Sequence, residues 1–131
     1  MSSTPPPSKA AKITGWILGI LPCAMLTMSA YFKLAQPPFM AEDAVKQGWN
    51  LQTMFIIGIV ELVCMILYLI PVTSILGAIL LAGYLGGAIA THVKMGDGPD
   101  GFGPALILGV LLWLGLFLRE PRLRTLIPFK R

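Results

Sequence analysis

Four stretches of about twenty nearly uncharged residues follow one another along this chain, and they leave it few ways to fold. They are 13–34 (ITGWILGILPCAMLTMSAYFKL), 52–70 (QTMFIIGIVELVCMILYLI), 74–93 (SILGAILLAGYLGGAIATHV) and 103–120 (GPALILGVLLWLGLFLRE). Each is near the length at which a helix crosses about 30 Å of hydrocarbon. Period-2 alternation is absent, which excludes a membrane β-barrel, and a helix satisfies its own backbone hydrogen bonds in lipid. The composition agrees: 56% of residues are hydrophobic and 12% are charged, against about 25% charged in soluble domains. Mean hydropathy is +0.78. The fold class expected is therefore all-α: a membrane-spanning antiparallel four-helix bundle, in a multi-pass protein of the cell (plasma or inner) membrane.

The basic residues give the orientation. Lys9, Lys12, Arg119, Arg122, Arg124, Lys130 and Arg131 flank one side of the four spans, whereas the loops on the other side hold Lys46 and Lys94, with Lys33 at the end of the first span. The positive-inside rule then puts both termini in the cytoplasm. This placement of the net +4 charge points to lipid headgroups rather than nucleic acid, and no basic stripe interleaved with aromatics is present. Trp16 and Trp49 fit interfacial belts. The organisation expected is a disordered Ser/Pro/Lys-rich tail over 1–12, the four-span domain over 13–120 and a basic cytoplasmic tail over 121–131. The first apolar run is long for a signal peptide and lacks an A-x-A site.

The connections carry information too. Pro71-Val72-Thr73 is short enough to make the second and third spans a hairpin. In the longest loop, Phe39 to Gln47 reads as a short interfacial helix over the mouth of the bundle. Asp97 and Asp100 lie in a Gly/Pro turn whose spacing matches no calcium-ligand pattern. Two rows of small residues, Ala78, Ala82, Gly86 and Ala90 beside Gly83, Gly87 and Thr91, suit close helix approach in lipid. Packing inside the bundle is the expectation for them, with oligomer formation through the same rows the alternative. Cys23 and Cys64 lie in apolar runs without a CxxC and read as buried, inert thiols.

Three ionisable residues fall within or at the rim of the spans: Lys33, Glu61 and His92. Glu61 is about ten residues, roughly 15 Å, below the nearer end of its helix. A charge at that depth costs roughly 2.5–3.5 kcal/mol on insertion scales, so the acid is protonated, paired or facing a wet cavity. Cα–Cβ bonds lean toward a helix's N-terminus, and the alternating directions of the spans tilt all three side chains toward one layer. Ser29, Tyr31 and Thr91 are the supporting polar groups at similar depth. By helix rise alone, the axial gap between Lys33 and Glu61 exceeds one direct salt bridge. A midplane acid is a functional-site candidate, and its alternative is structural glue between helices.

The stretches YFKL, GIVELVCMILYLIP, LGAILLAGYLGGAIATHVKMGDG and PALILGVLLWLGLFLREPRLRTLIP, taken in order, resemble the DoxX-like family of small four-helix membrane proteins over about 13–128. The resemblance places that family's recurring polar positions on Lys33, Glu61 and His92. It implies an accessory or quinone-interacting component of a membrane redox system, because the family's name derives from a quinone-reducing sulfur-oxidation system. A quinone is the cofactor to look for; the residues contain no metal, haem or flavin motif. Partners implied are the bilayer and another membrane or redox subunit. A single His, no recognisable nucleophile–base pair and no phosphate loop point away from an enzyme. The competing reading is a non-enzymatic structural or partner-stabilising protein whose polar cluster only locks the bundle.

Overall fold

The computed structural model describes residues 5–127. Its helices are α1 (Lys9–Ala35), α2 (Phe39–Gln47), α3 (Leu51–Leu69), α4 (Ser74–Lys94) and α5 (Pro99–Arg119). Two 3-10 turns, Pro71–Thr73 and Pro121–Thr125, precede α4 and follow α5. Four of the helices, α1, α3, α4 with its leading turn, and α5, are long and apolar enough to span a membrane. The short α2 matches the interfacial helix read from the loop sequence.

Local chemistry sets the boundaries. Ser8 caps α1, its hydroxyl accepting from the Ala11 N–H at 3.1 Å. That start makes residues 9–12, expected in the tail, the first turn of the helix. Gln36 closes α1 in the left-handed region at φ 54°. Its side chain donates to the Leu51 carbonyl at 2.6 Å, tying the loop to the start of α3. Asn50 caps α3 by accepting from the Thr53 N–H at 2.8 Å. At the hairpin, the Ser74 hydroxyl donates to the Tyr68 carbonyl at 2.7 Å and the Thr73 hydroxyl to the Leu67 carbonyl at 2.8 Å, satisfying carbonyls that α3 leaves orphaned.

Around the bundle, α1 packs on α3 and α5, and α4 packs on the same two, so α1 and α4 face each other across the interior. One end, here the loop end, carries α2 and the connection 95–98. The other, the terminal end, carries residues 5–8 beside Pro121, Arg124 and Thr125. There Leu123 is buried, so the expected basic tail folds back on the bundle through residue 125; Lys130 and Arg131 lie outside the described residues. The main core (Cys23, Leu26, Cys64, Tyr68, Leu81, Leu112 and neighbours) is joined by a small cluster under α2, where Met40 and Ala44 pack on Met54. Cys23 and Cys64 are free and buried.

Pro22 sits buried inside an uninterrupted α1. The small-residue rows on α4 behave differently from expectation. Of the first row, Ala78 is buried, but Ala82, Gly86 and Ala90 are exposed. An added Cβ at Gly83, Gly86 or Gly87 would meet nothing within 4 Å. Close approach is made elsewhere: by Gly15 against Gly115, and by Gly77 against the Tyr68 backbone. The reason is rotational. The buried face of α4 carries Gly77, Ala78, Leu81 and Leu85, which turns the rest of the first row, and Gly83 and Gly87 of the second, away from the contacts.

Candidate functional site

Gly58 sets the geometry of the site. One turn before Glu61 on α3, it lets α1 come so close that an added Cβ would stand 2.8 Å from the Lys33 Cβ. Lys33 then lays its stem back along α1, the direction helical side chains favour. Its Nζ donates to the Ser29 Oγ, one turn earlier, at 2.5 Å. It also donates to the Glu61 Oε1 at 3.1 Å. The Ser29 hydroxyl donates to that same oxygen at 3.3 Å. The direct bond corrects the axial gap expected from helix rise: a lysine stem reaching backward, plus helices in contact at a glycine, covers the distance.

The Glu61 side chain is 1% exposed and that of Lys33 14%. The pair is therefore a buried ion pair with one shared hydroxyl, in which losing either partner is far costlier than losing both. The accounting is incomplete on one atom. Glu61 Oε2 is buried and has no hydrogen-bond partner among the described residues. An unsatisfied buried acceptor costs about 1–3 kcal/mol.

Glu61, Lys33 and Ser29 form part of the wall of a half-open cavity of about 890 Å³ in the loop half of the bundle. Apolar groups, among them Met25, Met28, Phe32, Met54 and Leu108, supply most of the rest. From α2, Asp43 and Gln47 reach the same space. Its size is that of a small-molecule site, and so is its make-up: an apolar body with a few convergent polar groups.

The predicted site residues divide. Lys33, Glu61 and Ser29 come together. His92 borders the cavity, but its Nδ1 lies 2.8 Å from the Asp97 Oδ2, and both side chains are about one-third exposed (34% and 36%). The physical reason lies in the turn after α4. Gly96 takes φ 84°, and the Asp97 N–H donates to the His92 carbonyl at 3.0 Å, which folds the aspartate back onto the imidazole. His92 is thus a rim residue paired with Asp97 rather than a third member of the Lys33–Glu61 cluster. Thr91 lines the cavity while its hydroxyl donates to the Gly87 carbonyl at 2.8 Å. Tyr31 does not belong to the site: it is 63% exposed and leans on Phe32, ring centroids 5.7 Å apart. The predicted convergence overreached because axial tilt was the sole guide, and tilt says nothing of rotation about the helix axis.

Tyr84 is the residue that sequence reasoning missed. It lines the cavity, and the Lys33 Nζ lies 5.9 Å from its ring centroid. Its hydroxyl neighbours Glu61 and Ser29. A signal was available. Tyr84 and Glu61 are both about ten residues from the loop ends of their helices, so helix rise places them at one depth. Among the described residues, no group of three or more His, Cys, Asp or Glu is placed to hold a metal ion.

Four apolar spanning helices and a polar pair enclosed between them define an integral membrane protein of the multi-pass, all-helical class. Residues 17–115 match the model of the DoxX-like family, and the chain belongs to that family. No curated protein and no solved structure matches it. The matched region takes in Lys33, Glu61, Tyr84 and His92 and stops short of the final turn and tail.

Proposed function

We propose that this DoxX-like protein is an accessory component of a membrane redox system and that its cavity takes a quinone-like, lipid-soluble small molecule. One observation carries the reading: a buried Lys33–Glu61 pair, with one carboxylate oxygen unpartnered, stands on the wall of an apolar cavity of about 890 Å³. A pair meant only to hold helices together has no use for a cavity beside it. Lys33 supplies an N–H to an oxygen of the ligand head, and the apolar walls take the ring and its tail. Family membership supports a redox setting. Lys9, Lys12, Arg119, Arg122 and Arg124 at the terminal end support a cytoplasmic location for that end, in the cell membrane. A redox partner subunit then works beside the bundle, and the exposed Ala82, Gly86 and Ala90 of α4 offer it a face for close approach.

The structural reading draws on full burial of Glu61 and on the packing at Gly58. A double substitution, Lys33→Met with Glu61→Leu, separates the two. Replacing a buried ion pair by apolar groups of similar size is often neutral for stability. In lipid nanodiscs, the double variant should keep its thermal midpoint and lose quinone binding by more than about tenfold. Unchanged binding ends the ligand reading. A large fall in midpoint, with no ligand bound by the native protein, establishes the structural one.

A further inference from the structure

The cavity has a roof but no complete side wall. At the loop end α2 lies across it, with Met40 and Ala44 buried against Met54. Asp43 and Gln47 of α2 line the space from above. The Lys94 ammonium stands 5.2 Å from the Trp49 ring centroid, fastening the end of α4 to the loop that follows α2. Sideways, the enclosure fails along α5. Residues four apart share a helix face. On one such row Leu116 and Leu112 are buried, 2% and 1% exposed. Toward the loop end the same row continues as Leu108, half-buried, and Pro104, exposed, and both line the cavity. On α1, which packs on α5, Met25 and Met28 line the cavity too and are 59% and 61% exposed. A residue that borders the cavity and is also open to the outside stands at a mouth.

We infer, on the reading that the cavity holds a ligand, that the ligand enters sideways from the hydrocarbon of the loop-side leaflet, through a mouth between α1 and α5 whose lips are Met25, Met28 and Pro104. Its class follows: a long-chain amphiphile of the bilayer, whose head stands by Lys33 and whose chain stays between the lips. By helix rise, the lips and Leu108 lie roughly 8–15 Å inside the loop ends of α1 and α5. That is within the half-thickness of hydrocarbon, about 15 Å. None of the four side chains is polar, so an apolar chain crosses the mouth without desolvating anything. Methionine side chains are flexible and adapt to what passes them. Ser29 follows Met28 directly, so the mouth and the polar pair lie at one depth. A water-soluble ligand would instead have to come through the roof, past α2.

The test uses the full-length protein in nanodiscs containing a phosphatidylcholine whose acyl chain carries a mid-chain diazirine, with the photolabelled residues mapped by mass spectrometry. Helix α5 supplies its own control, because Ile107 and Val110 are exposed on it away from the cavity wall. The native protein should be labelled on the inner wall, at Leu108 and Tyr84, as well as at Ile107 and Val110. Met28→Trp fills the mouth and should lose the inner labels while keeping the outer ones; inner labels unchanged in that variant overturn the assigned mouth. Should the variant not fold, the native map decides alone: labels confined to the outer positions overturn the lateral route. Decylubiquinone added as competitor separates the route from the ligand. Inner labels that it displaces support both. Inner labels that it leaves in place support the route and overturn the quinone reading. Decylubiquinone bound by a protein without inner labels overturns the route and leaves the quinone reading standing.

Discussion

The two halves of the bundle use the same residue type for opposite ends. At the terminal half, glycines are where helices touch. An added Cβ at Gly15 would stand 2.6 Å from the Gly115 carbonyl oxygen, and one at Gly115 would stand 2.6 Å from that of Gly15. One at Gly77 would fall on the Tyr68 backbone. Tyr68 is wholly buried and donates its hydroxyl to the Leu112 carbonyl at 2.5 Å, crossing from α3 to α5. Arg119 covers this end, its guanidinium 4.0 Å from the Trp16 ring centroid and 5.1 Å from that of Tyr68. At the loop half, Gly58 makes the contact of α3 with α1, but Gly83 and Gly87 border open space and the cavity beside the Lys33–Glu61 pair. Lipid tails are as apolar as a protein core, so helices in a membrane are held by close packing and by polar contacts. Close packing at one end frees the other end to stay open, with the Gly58 contact and one polar cluster holding α1 to α3.

The sharpest way to break this contrast is to remove one partner of the cluster. Lys33→Met leaves the Glu61 carboxylate buried and uncompensated, and stability should fall by about 3–5 kcal/mol. Thermal unfolding in detergent against the Lys33→Met, Glu61→Leu double variant measures it, since the double variant should recover most of the loss. At the packed end, Gly77→Ala drives a methyl into backbone that cannot yield, a cost of about 1–3 kcal/mol. Its visible sign should be a lower midpoint and a larger aggregated fraction on size exclusion. The matched change in the open half, Gly83→Ala, should lie within about 0.5 kcal/mol of the native protein. A destabilisation as large as that of Gly77→Ala would show that the loop half is packed like the terminal half.

The smallest effect concerns pH. The Arg122 guanidinium, hydrogen-bonded to Glu120 at 2.9 Å, holds that carboxyl below the usual carboxylate range. A depressed folded-state value means the contribution is present above the unfolded value and lost as pH falls through the folded one. Its window therefore lies below about pH 4. Arg122→Gln should slightly flatten the acid arm of a midpoint-against-pH curve and leave the neutral region unchanged. An unchanged acid arm would show that the exposed pair contributes nothing to the fold.

Much of this was legible in the residues, and the pattern of what was legible is instructive. Span lengths, the Pro71–Thr73 hairpin and the Phe39–Gln47 helix depend on local hydrophobicity, turn chemistry and capping, all of which act within a few residues. Glu61 announced itself by depth alone, since a carboxylate in an apolar run needs an account wherever the helix points. Lys33 could be placed in the same layer by helix rise. Its direct bond to Glu61 could not, because that bond depends on Gly58 bringing α1 within van der Waals reach and on the rotamer that follows. His92 pairs with Asp97 because Gly96 turns the chain back, and Tyr84 joins the cavity because α4 is rotated to face it.

By itself, then, the sequence determined that the chain crosses the membrane four times as helices and that an acid sits at mid-depth in the second crossing. Tertiary structure alone decided which glycines touch and which lie open, and with them the cavity and the identity of the acid's companions. The physical reason is that these helices are apolar nearly all round. In a soluble protein the polar stripe reveals which face looks outward. Here lipid and core reward the same side chains, so the rotation of each helix about its axis is set by steric fit with its neighbours, which no single segment encodes.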